Sequence, residues 1–311
     1  MAFCSPKREN KSKYSCFDGS ALIKIAEEYN RIYDDKITIP AEINDKTHLD
    51  LWKQIKIRLQ RIAPCPHEFC WIDVDFVKGL KLDDNFRPSM PEEWTKDMNT
   101  WLNNFDIENV LNQYEQLSAD FEFIGPVPID FDSKTGAFSR CVSDALCNLN
   151  IKSLWKSGKR KLGVVFNLDP HYKGGSHWVA MYADLASGAI YFYDSYGMAP
   201  PKEVVVLMNR IKEQGDAMIG IDIKKVSAPL PEHKNYKRIS NDGGFQIYYN
   251  RRRFQYENSE CGPFSMNFIV DLLLGKSYPQ VLASPIDDKK AMNTRLKFYT
   301  PPIEFIKGGR E

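Results

Sequence analysis

The chain has 311 residues, 43% of them hydrophobic and 13% aromatic, which is enough for a packed globular protein of one large domain or two. Its formal net charge of +1 favours neither nucleic acid nor a membrane surface as a general partner. We find no secretory signal pattern at Met1 and no apolar run long enough to span a bilayer, so no membrane partner is predicted. Seven cysteines, an odd number, argue against a disulfide framework, and we expect a reducing setting such as the cytosol or nucleus.

The first third of the chain is predicted to be all-helical. Residues 1–17 open with MAFCSPKRENKSKY, a polar and basic stretch that we expect to be disordered, and residues 18–120 are the predicted helical extension. Apolar residues recur at helical spacing in SALIKIAEEYNRIY and again in LDLWKQIKIRLQRI. The buried faces of these two helices are expected to be Leu22, Ile25, Ala26 and Tyr29, and Leu51, Ile55, Leu59 and Ile62.

Two further helices are predicted before residue 120. In SMPEEWTKDMNTWL, a capping box of Ser89 and Glu92 encloses Pro91. The following helix is expected to start at Asp106 as its cap. The apolar stripes are Trp94, Met98, Trp101 and Leu102 in the first helix, and Ile107, Val110, Leu111 and Tyr114 in the second.

Residues 121–311 alternate between strand and helix patterns, which is typical of an α+β or α/β domain. The Pro-rich FIGPVPIDF marks the transition into this part, and RCVSDALCNLNIKSLW indicates one helix. HWVAMYADL and AIYFYDSYG indicate two strands joined by a turn at Ser187 and Gly188. The remaining predicted elements are a strand in KLGVVFNL, a helix in PPKEVVVLMNRIKEQ, a strand in GFQIYYNRRRFQ and a helix in CGPFSMNFIVDLLLGK.

Cys261 opens the last of these helices, and its position favours a nucleophile. The thiolate is the reactive form of cysteine, and the unpaired N–H groups and dipole of a helix N-terminus stabilise it. Gly262 lets the backbone approach closely and leaves an N–H accessible to a developing oxyanion. Because a lone cysteine is more often a small buried apolar residue, the assignment depends on a base nearby.

His177 is the best candidate for that base among the five histidines, since it begins a strand directly after a Gly-Gly loop. Asp194 ends the following strand, and a tight turn between two antiparallel strands brings both residues to the same end of the sheet. Gln255, six residues before Cys261 and near the end of the preceding strand, is suited to donate its side-chain amide to an oxyanion. Each residue taken alone has an ordinary structural interpretation, and only their joint arrangement indicates a site.

These residues resemble the SUMO proteases, which cleave ubiquitin-like modifiers, and the adenovirus protease. The shared pattern is His-Trp, an Asp 17 residues later, and then a Gln six residues before a Cys-Gly pair, and both spacings occur here. The resemblance covers roughly the last 170 residues, with motif-level similarity in His177–Gly197 and Gln255–Phe264. It implies an α+β fold for residues 121–311, a SUMO-protease/adenain-like core whose mixed sheet is packed by helices, after an N-terminal all-α extension.

The resemblance also implies roles for individual residues. Cys261 matches the nucleophile, His177 the general base and Asp194 the group that orients it. Gln255 matches the oxyanion donor, Trp178 matches an aromatic wall of the substrate channel, and Gly262 is expected to bind substrate as well. The pair Gly262-Pro263 is closer to the viral members, including the polyprotein proteases of the African swine fever virus type, which the N-terminal extension also resembles.

The viral resemblance implies a cysteine endopeptidase that processes structural polyproteins at Gly-Gly-type sites during virion maturation. It would act in the host cytoplasm (the virus factory) and in the virion. The alternative within the same class is a deconjugating protease for SUMO or ubiquitin, in the cytoplasm or nucleus. No cofactor is predicted, although basic clusters in KRENKSK, KSGKRK and residues 251–253 are compatible with nucleic acid and with a DNA or peptide activator.

Three other interpretations stay open from the residues alone. Cys141, His177 and Asp194 follow the chain order of papain-like proteases, with Cys141 as the nucleophile. A nucleic-acid-binding or scaffold protein on an inactive protease fold would also explain the basic clusters. Finally, Cys65, His67 and Cys70 lie close in sequence, and Cys4 or Cys16 would complete a zinc site; because no second Cys pair is near, no metal is predicted.

Overall fold

In a computed structural model, the chain divides into two compact units, residues 1–97 with 296–311 and residues 98–295. None of the helices in the described residues is long and apolar enough to cross a lipid bilayer. The structure describes residues 3–9, 11–136, 138–240, 243–283, 287–303 and 305. The helices there are α1 (Gly19–Ile32), α2 (Asp45–Leu59), α3 (Asp75–Lys78), α4 (Asn104–Leu117), α5 (Asp144–Cys147), α6 (Ile151–Lys156), α7 (Lys202–Asp216), α8 (Cys261–Leu273), α9 (Tyr278–Ala283) and α10 (Asp288–Phe298). The strands are β1 (Phe121–Pro128), β2 (Lys134–Thr135), β3 (Arg140–Cys141), β4 (Lys161–Asn167), β5 (Trp178–Asp184), β6 (Ala189–Tyr193), β7 (Tyr236–Arg238) and β8 (Gln246–Asn250).

The first unit is built on α1 and α2, which form where the apolar spacing predicts them. Asp18 caps α1 by accepting from the Ala21 N–H, and Asn44 forms a capping box with Thr47 at the start of α2. Ile62 lies beyond the end of α2 and is 41% exposed, so it is not part of the buried face. The other seven residues predicted for these two faces are buried.

The N-terminal stretch packs into this unit, which corrects the prediction that residues 1–17 are disordered, as far as residues 3–9 and 11–17 are described. The half-buried Glu68 carboxylate accepts from the Ser15 hydroxyl at 2.6 Å and from the Cys16 N–H at 2.9 Å. Cys4 and Phe17 are almost fully buried. Local composition could not reveal this order, because the residue that holds the stretch lies far along the chain.

Six of the seven cysteines form disulfides, which corrects the expectation that the chain has none. An odd count is also what three local bridges and one free thiol give, so the number of cysteines does not exclude bridges. A disulfide sulfur is not a thiolate and cannot bind a metal as one, so the bridges exclude the zinc site considered at Cys65, His67 and Cys70. The bridges are Cys4–Cys16, Cys65–Cys70 and Cys141–Cys147, with Cα atoms 5.1, 5.6 and 6.3 Å apart.

The helix predicted over SMPEEWTKDMNTWL does not form, apart from a short 3-10 turn at Glu92–Thr95. The next helix, α4, instead takes Asn103 as its cap: Asn103 Oδ1 accepts from the Asp106 N–H, and Asp106 Oδ2 accepts from the Asn103 N–H. This box requires extended backbone at Asn103, so a helix cannot run through Leu102. Asp106, predicted as the cap, is the third residue of the helix.

The second unit contains a six-stranded sheet in the order β1-β4-β5-β6-β8-β7. The β1–β4 and β6–β8 pairs are parallel and the other neighbours are antiparallel, so the sheet is mixed. One face, with Met181 and Phe192, packs in a core that includes Leu207 of α7. On the other face, Tyr193 stacks on Phe268 of α8 with ring centroids 4.7 Å apart. A mixed sheet with a helix on each face is the predicted α+β architecture.

Local details of this unit differ from the sequence prediction. FIGPVPIDF supplies most of strand β1, because its prolines lie where the strand runs along the edge of the sheet. RCVSDALCNLNIKSLW forms β3 and two short helices, α5 and α6, instead of one helix. The predicted domain boundary at residue 120 falls inside the unit, since α4 packs against both β1 and α8. Residues 296–311 belong to the other unit.

Candidate active site

His177 and Asp194 meet at one end of the β5–β6 hairpin. His177 directly precedes β5 and Asp194 directly follows β6, and the pairing of Ala180 with Tyr193 brings these ends together. His177 Nε2 donates a hydrogen bond to Asp194 Oδ1 at 2.7 Å. The two side chains are only 10% and 4% exposed, so water competes little for a bond that orients the imidazole.

The loop after β6 and the end of β8 hold Asp194 in place. Its N–H donates to Asn250 Oδ1 at 2.9 Å, and Asn250 Nδ2 donates to its carbonyl oxygen at 2.7 Å. The Tyr196 N–H donates to the same Oδ1 that faces His177. The Tyr196 ring also stacks on the imidazole, with centroids 4.7 Å apart. Carboxylate and imidazole are therefore both fixed before any substrate binds.

Cys261 is the first residue of α8 and lies 2% exposed beside His177. It is the one cysteine without a disulfide. Its sulfur is near enough to the His177 side chain to raise the pKa of the imidazole. Because Nε2 faces Asp194, Nδ1 is the ring nitrogen left for the sulfur. The three residues that the sequence spacing selected thus form one connected series.

The pKa of His177 is raised from 6.5 to about 9. Burial is the largest single influence on this pKa and lowers it. The hydrogen bonds to Asp194 and Cys261 and the negative charges of both groups together outweigh burial. The imidazole is therefore protonated at neutral pH, and an imidazolium beside the sulfur stabilises the thiolate.

Gln255 lies five residues beyond the end of β8, not near its end as the sequence predicts. Its side-chain oxygen accepts from the Ser195 hydroxyl at 2.6 Å, and Nε2 donates to the Glu257 carbonyl at 2.8 Å. The Gln255 N–H also donates to the Ser195 carbonyl at 3.0 Å. An amide nitrogen carries two hydrogens, so the fully buried amide is held rigidly with one N–H left over.

A cavity of roughly 320 Å³ opens beside His177. Trp178 also lines it, although its ring is almost fully buried and its Nε1–H donates to the Leu102 carbonyl at 3.0 Å. Its role as a wall of the substrate channel stays a prediction. Trp101, which is 46% exposed, lines the cavity as well. Sequence reasoning missed this role of Trp101 because it assigned the residue to the apolar stripe of a helix. The Asn103–Asp106 capping signal could have corrected that.

Gly262 faces Leu102 and not open space. A Cβ atom at this glycine would lie 2.7 Å from Leu102 Cδ1 and 3.2 Å from Leu102 Cβ. The absence of a side chain therefore lets the segment before α4 pack directly on the first turn of α8. The predicted role in substrate binding stays a prediction, and the close approach that the structure explains is to Leu102.

Cys141 does not support a papain-like order. Its sulfur is bonded to Cys147, so it has no free thiol to act as a nucleophile. The interpretation with Cys141 as nucleophile is therefore wrong for this structure, and Cys261 is left as the sulfur next to the histidine.

Comparison with known proteins agrees with this geometry. Residues 113–308 match the Ulp1 protease family, C-terminal catalytic domain. The chain belongs to this family. The resemblance inferred from the His, Asp, Gln and Cys spacing is thereby confirmed, and the chain is a cysteine protease that acts on protein substrates.

Viral relatives extend this Ulp1-family match over the N-terminal region. A provisionally named thiol protease of Acanthamoeba polyphaga mimivirus is 29% identical, over 98% of this chain and 96% of the relative. A cysteine protease of African swine fever virus is 24% identical, over 76% of this chain and 83% of that protein. The crystal structure of the African swine fever virus protease matches with a TM-score of 0.59 at 18% identity and covers 96% of both chains. The shared fold therefore includes the helical N-terminal region.

Proposed function

We propose that Cys261 is the nucleophile of this protease, His177 its general base and Asp194 the group that orients the base. The observation that carries the proposal is that the His177 imidazole is bonded to the Asp194 carboxylate at 2.7 Å and lies beside the buried Cys261 sulfur. A thiol nucleophile needs such a base, and the base needs such an anchor. The raised pKa of His177 supports a resting state of thiolate and imidazolium.

The reaction then follows from the positions of these groups. The Cys261 sulfur attacks the scissile carbonyl carbon and forms a tetrahedral intermediate with a negative oxygen. The remaining Nε2–H of Gln255 and the backbone N–H of Cys261 donate to that oxygen. His177 gives its proton to the amine as the C–N bond breaks, which leaves a thioester on the sulfur. His177 next takes a proton from water, whose oxygen attacks the thioester and releases the thiol and the acid.

The substrate we propose is a protein cleaved after small residues, in a Gly-Gly-X type sequence. The cavity beside His177 supports this, because it is lined by Trp101 and Trp178 on one part and by the loop of Gly174 and Gly175 on another. A chain without side chains can pass close to indole rings where a branched residue would collide. Glycine residues before the scissile bond suit such a site.

The biological setting we propose is the processing of structural polyproteins during virion maturation, in the host cytoplasm (virus factory) and in the virion. Its support is that relatives over most or all of the chain are proteases of African swine fever virus and of mimivirus. Deconjugation of a ubiquitin-like modifier is the second candidate. It is supported by the name SUMO-1 cysteine protease carried by an African swine fever virus relative that is 27% identical over 44% of this chain.

We also propose an anionic activator, for which the exposed arginines after β8 are the best-supported basic cluster. In KSGKRK, Lys159 pairs with Glu122 at 3.0 Å and Lys161 pairs with Asp120 at 3.2 Å, so that cluster is engaged locally. Arg251 and Arg252 are exposed next to the end of β8. Addition of DNA should raise activity only at low salt if nucleic acid acts there, because phosphate contacts weaken steeply with ionic strength.

A matched substrate series tests the proposed function. Fluorogenic peptides ending in Gly-Gly, Ala-Gly, Gly-Ala and Leu-Leu before the reporter group would be compared with ubiquitin and SUMO carrying the same reporter, with Cys261→Ala as the inactive control. Preference for the Gly-Gly peptide with little gain from the folded modifiers supports a polyprotein protease. A large gain from one modifier favours deconjugation instead. Equal rates on Leu-Leu and Gly-Gly would refute cleavage after small residues.

A further inference from the structure

A buried ion pair stands directly before Cys261. Arg295 and Glu260 are 0% and 1% exposed, and Arg295 Nη2 lies 2.9 Å from Glu260 Oε1. A second hydrogen bond runs from Arg295 Nε to Glu260 Oε2 at 3.2 Å. Removing two charges from water costs free energy, and such a pair is retained only with good geometry and further hydrogen bonds. The proposed catalytic steps do not use the pair, so its presence beside the nucleophile requires another explanation.

Arg295 also joins two segments on which the site depends. Its Nη2 donates to the Ser259 carbonyl at 2.9 Å, in the turn that enters α8. Its Nη1 donates to the Thr100 carbonyl at 2.7 Å. Thr100 immediately precedes Trp101, which lines the cavity, and Leu102, which packs on Gly262. One guanidinium therefore fixes the start of the nucleophile helix and the cavity wall together.

The charge at Glu260 bears on the ionisation of Cys261. Glu260 is the neighbouring residue in the chain, and an unpaired carboxylate in this buried position would oppose formation of the thiolate. Arg295 cancels that charge. The charged groups near the sulfur include the His177 imidazolium, with Asp194 bonded behind it. The Tyr196 ring stacks on His177, the Arg253 guanidinium lies 5.2 Å from the centre of that ring, and Asp288 also acts on Tyr196. Because Arg295 neutralises Glu260, the His177 imidazolium is the dominant charge near the Cys261 sulfur.

We propose that Arg295 is a positioning residue for the protease reaction. It neutralises Glu260, so that no unpaired negative charge lies next to Cys261 in the chain, and it holds the Trp101 segment against the first turn of α8. The proposal rests on the proposed function, because it takes Cys261 as the nucleophile.

The test is the pH dependence of Cys261 alkylation by iodoacetamide between pH 5 and 9, followed by peptide mass spectrometry. The full-length variants are Arg295→Met, Glu260→Gln and the double variant. Arg295→Met leaves the Glu260 carboxylate without its cation. The pH midpoint of Cys261 alkylation should then rise by about one unit, equivalent to about tenfold slower alkylation below that midpoint. Glu260→Gln leaves the guanidinium unpaired, and the midpoint should fall. The double variant should return close to wild type, because both charges are gone.

Return of the midpoint in the double variant separates a charge effect from simple loss of structure, since that variant lacks both partners. A double variant that stays shifted like Arg295→Met, or an Arg295→Met protein with the wild-type midpoint, would overturn the proposal. Where Arg295→Met does not fold, Glu260→Gln decides alone: a lower midpoint supports the proposal and an unchanged one refutes it. If wild-type Cys261 itself titrates near 8.5, like an ordinary thiol, then the proposed function fails and not merely this inference.

Arg295→Lys tests the positioning part separately. A lysine ammonium can neutralise Glu260 but cannot reach Ser259, Thr100 and both carboxylate oxygens at once. The alkylation midpoint should therefore stay near wild type, while KM for a Gly-Gly peptide rises severalfold because the Trp101 segment is less firmly held. An unchanged KM would limit the role of Arg295 to the charge alone and refute its role at the cavity wall.

Discussion

The two halves of the active site are held by different kinds of interaction. His177 and Asp194 are brought together by the backbone pairing of two adjacent strands, with a short turn between them. Cys261 is brought to them by a helix whose first turn is fixed by side chains from distant parts of the sequence, among them Leu102 and Arg295. Strand pairing is specified by local sequence, whereas the helix half depends on contacts between segments. Substitutions in the two halves should therefore affect activity and stability in different ways.

The largest expected effect is loss of the base in the hairpin half. His177→Ala removes both the proton acceptor and the cation beside the sulfur, and kcat/KM should fall by at least about 10⁴-fold. Alkylation of Cys261 near pH 6 should slow in the same variant. His233→Ala, in the loop before β7, is the control and should keep the wild-type rate. Residual activity within tenfold of wild type would remove His177 from the mechanism.

Gln255→Ala should have the next largest effect. Loss of one oxyanion donor typically lowers kcat by about 10²–10³-fold, with little change in KM, because the bond forms fully only in the transition state. The exposed Gln280 provides a control of the same residue type. A change confined to KM would show that Gln255 contacts the substrate ground state and does not stabilise the oxyanion.

The same contrast explains what the sequence could and could not predict. The His177–Asp194 contact followed from two strands of alternating pattern and a Ser-Gly turn, which together fix which residues share an end. The order and family of the site followed from the spacing of four residues. The identity of α8 as a buried helix followed from its apolar length.

The rest depends on contacts that no local pattern contains. Trp101 carried a helical apolar pattern, but a capping box two residues later imposed extended backbone and exposed it. Arg295 lies on a helix whose sequence is mostly polar, and nothing there indicates a fully buried guanidinium. Ser15 and Cys16 appeared to belong to a disordered tail because their partner, Glu68, lies far along the chain. Long-range side-chain contacts override local propensity in each case.

Gly262→Ala probes the packing of the helix half. The new Cβ would meet Leu102 Cδ1 at 2.7 Å, and crowding of this kind in a buried site costs about 1–3 kcal/mol. Helix propensity favours alanine by about 1 kcal/mol, so the net loss of stability should be small but measurable as a lower thermal midpoint. Gly79→Ala is the matched control, since its Cβ would meet only the Phe76 carbonyl at 3.9 Å. If the thermal midpoint of Gly262→Ala is no lower than that of Gly79→Ala, then Leu102 moves aside at no cost in stability.

Asp194→Asn removes the charge from the hairpin half and keeps its shape. An Asn oxygen can still accept from the Tyr196 N–H and from His177 Nε2, so the geometry should survive. The pKa of His177, about 9 in the wild type, should fall because one of the two groups that raise it loses its charge. The protonated imidazole is needed to release the amine, so the alkaline limb of kcat/KM should move to lower pH. The expected loss is about tenfold at pH 8.5 and smaller at pH 6.5.

The same pKa makes a prediction about stability, with the sign set by its direction. A histidine whose pKa is raised on folding contributes stability that is fully present below its unfolded value of 6.5 and is lost as pH rises through about 9. The thermal midpoint of the wild type should therefore exceed that of Asp194→Asn most clearly below pH 6.5, and the two curves should converge above pH 9. A gap that stays constant across this range would mean that Asp194 acts through its hydrogen bonds to Tyr196 and Asn250 and not through its charge on His177. The hairpin half would then be held by backbone and neutral hydrogen bonds alone. In that case Cys261, and not Asp194, would be the group that raises the pKa of His177.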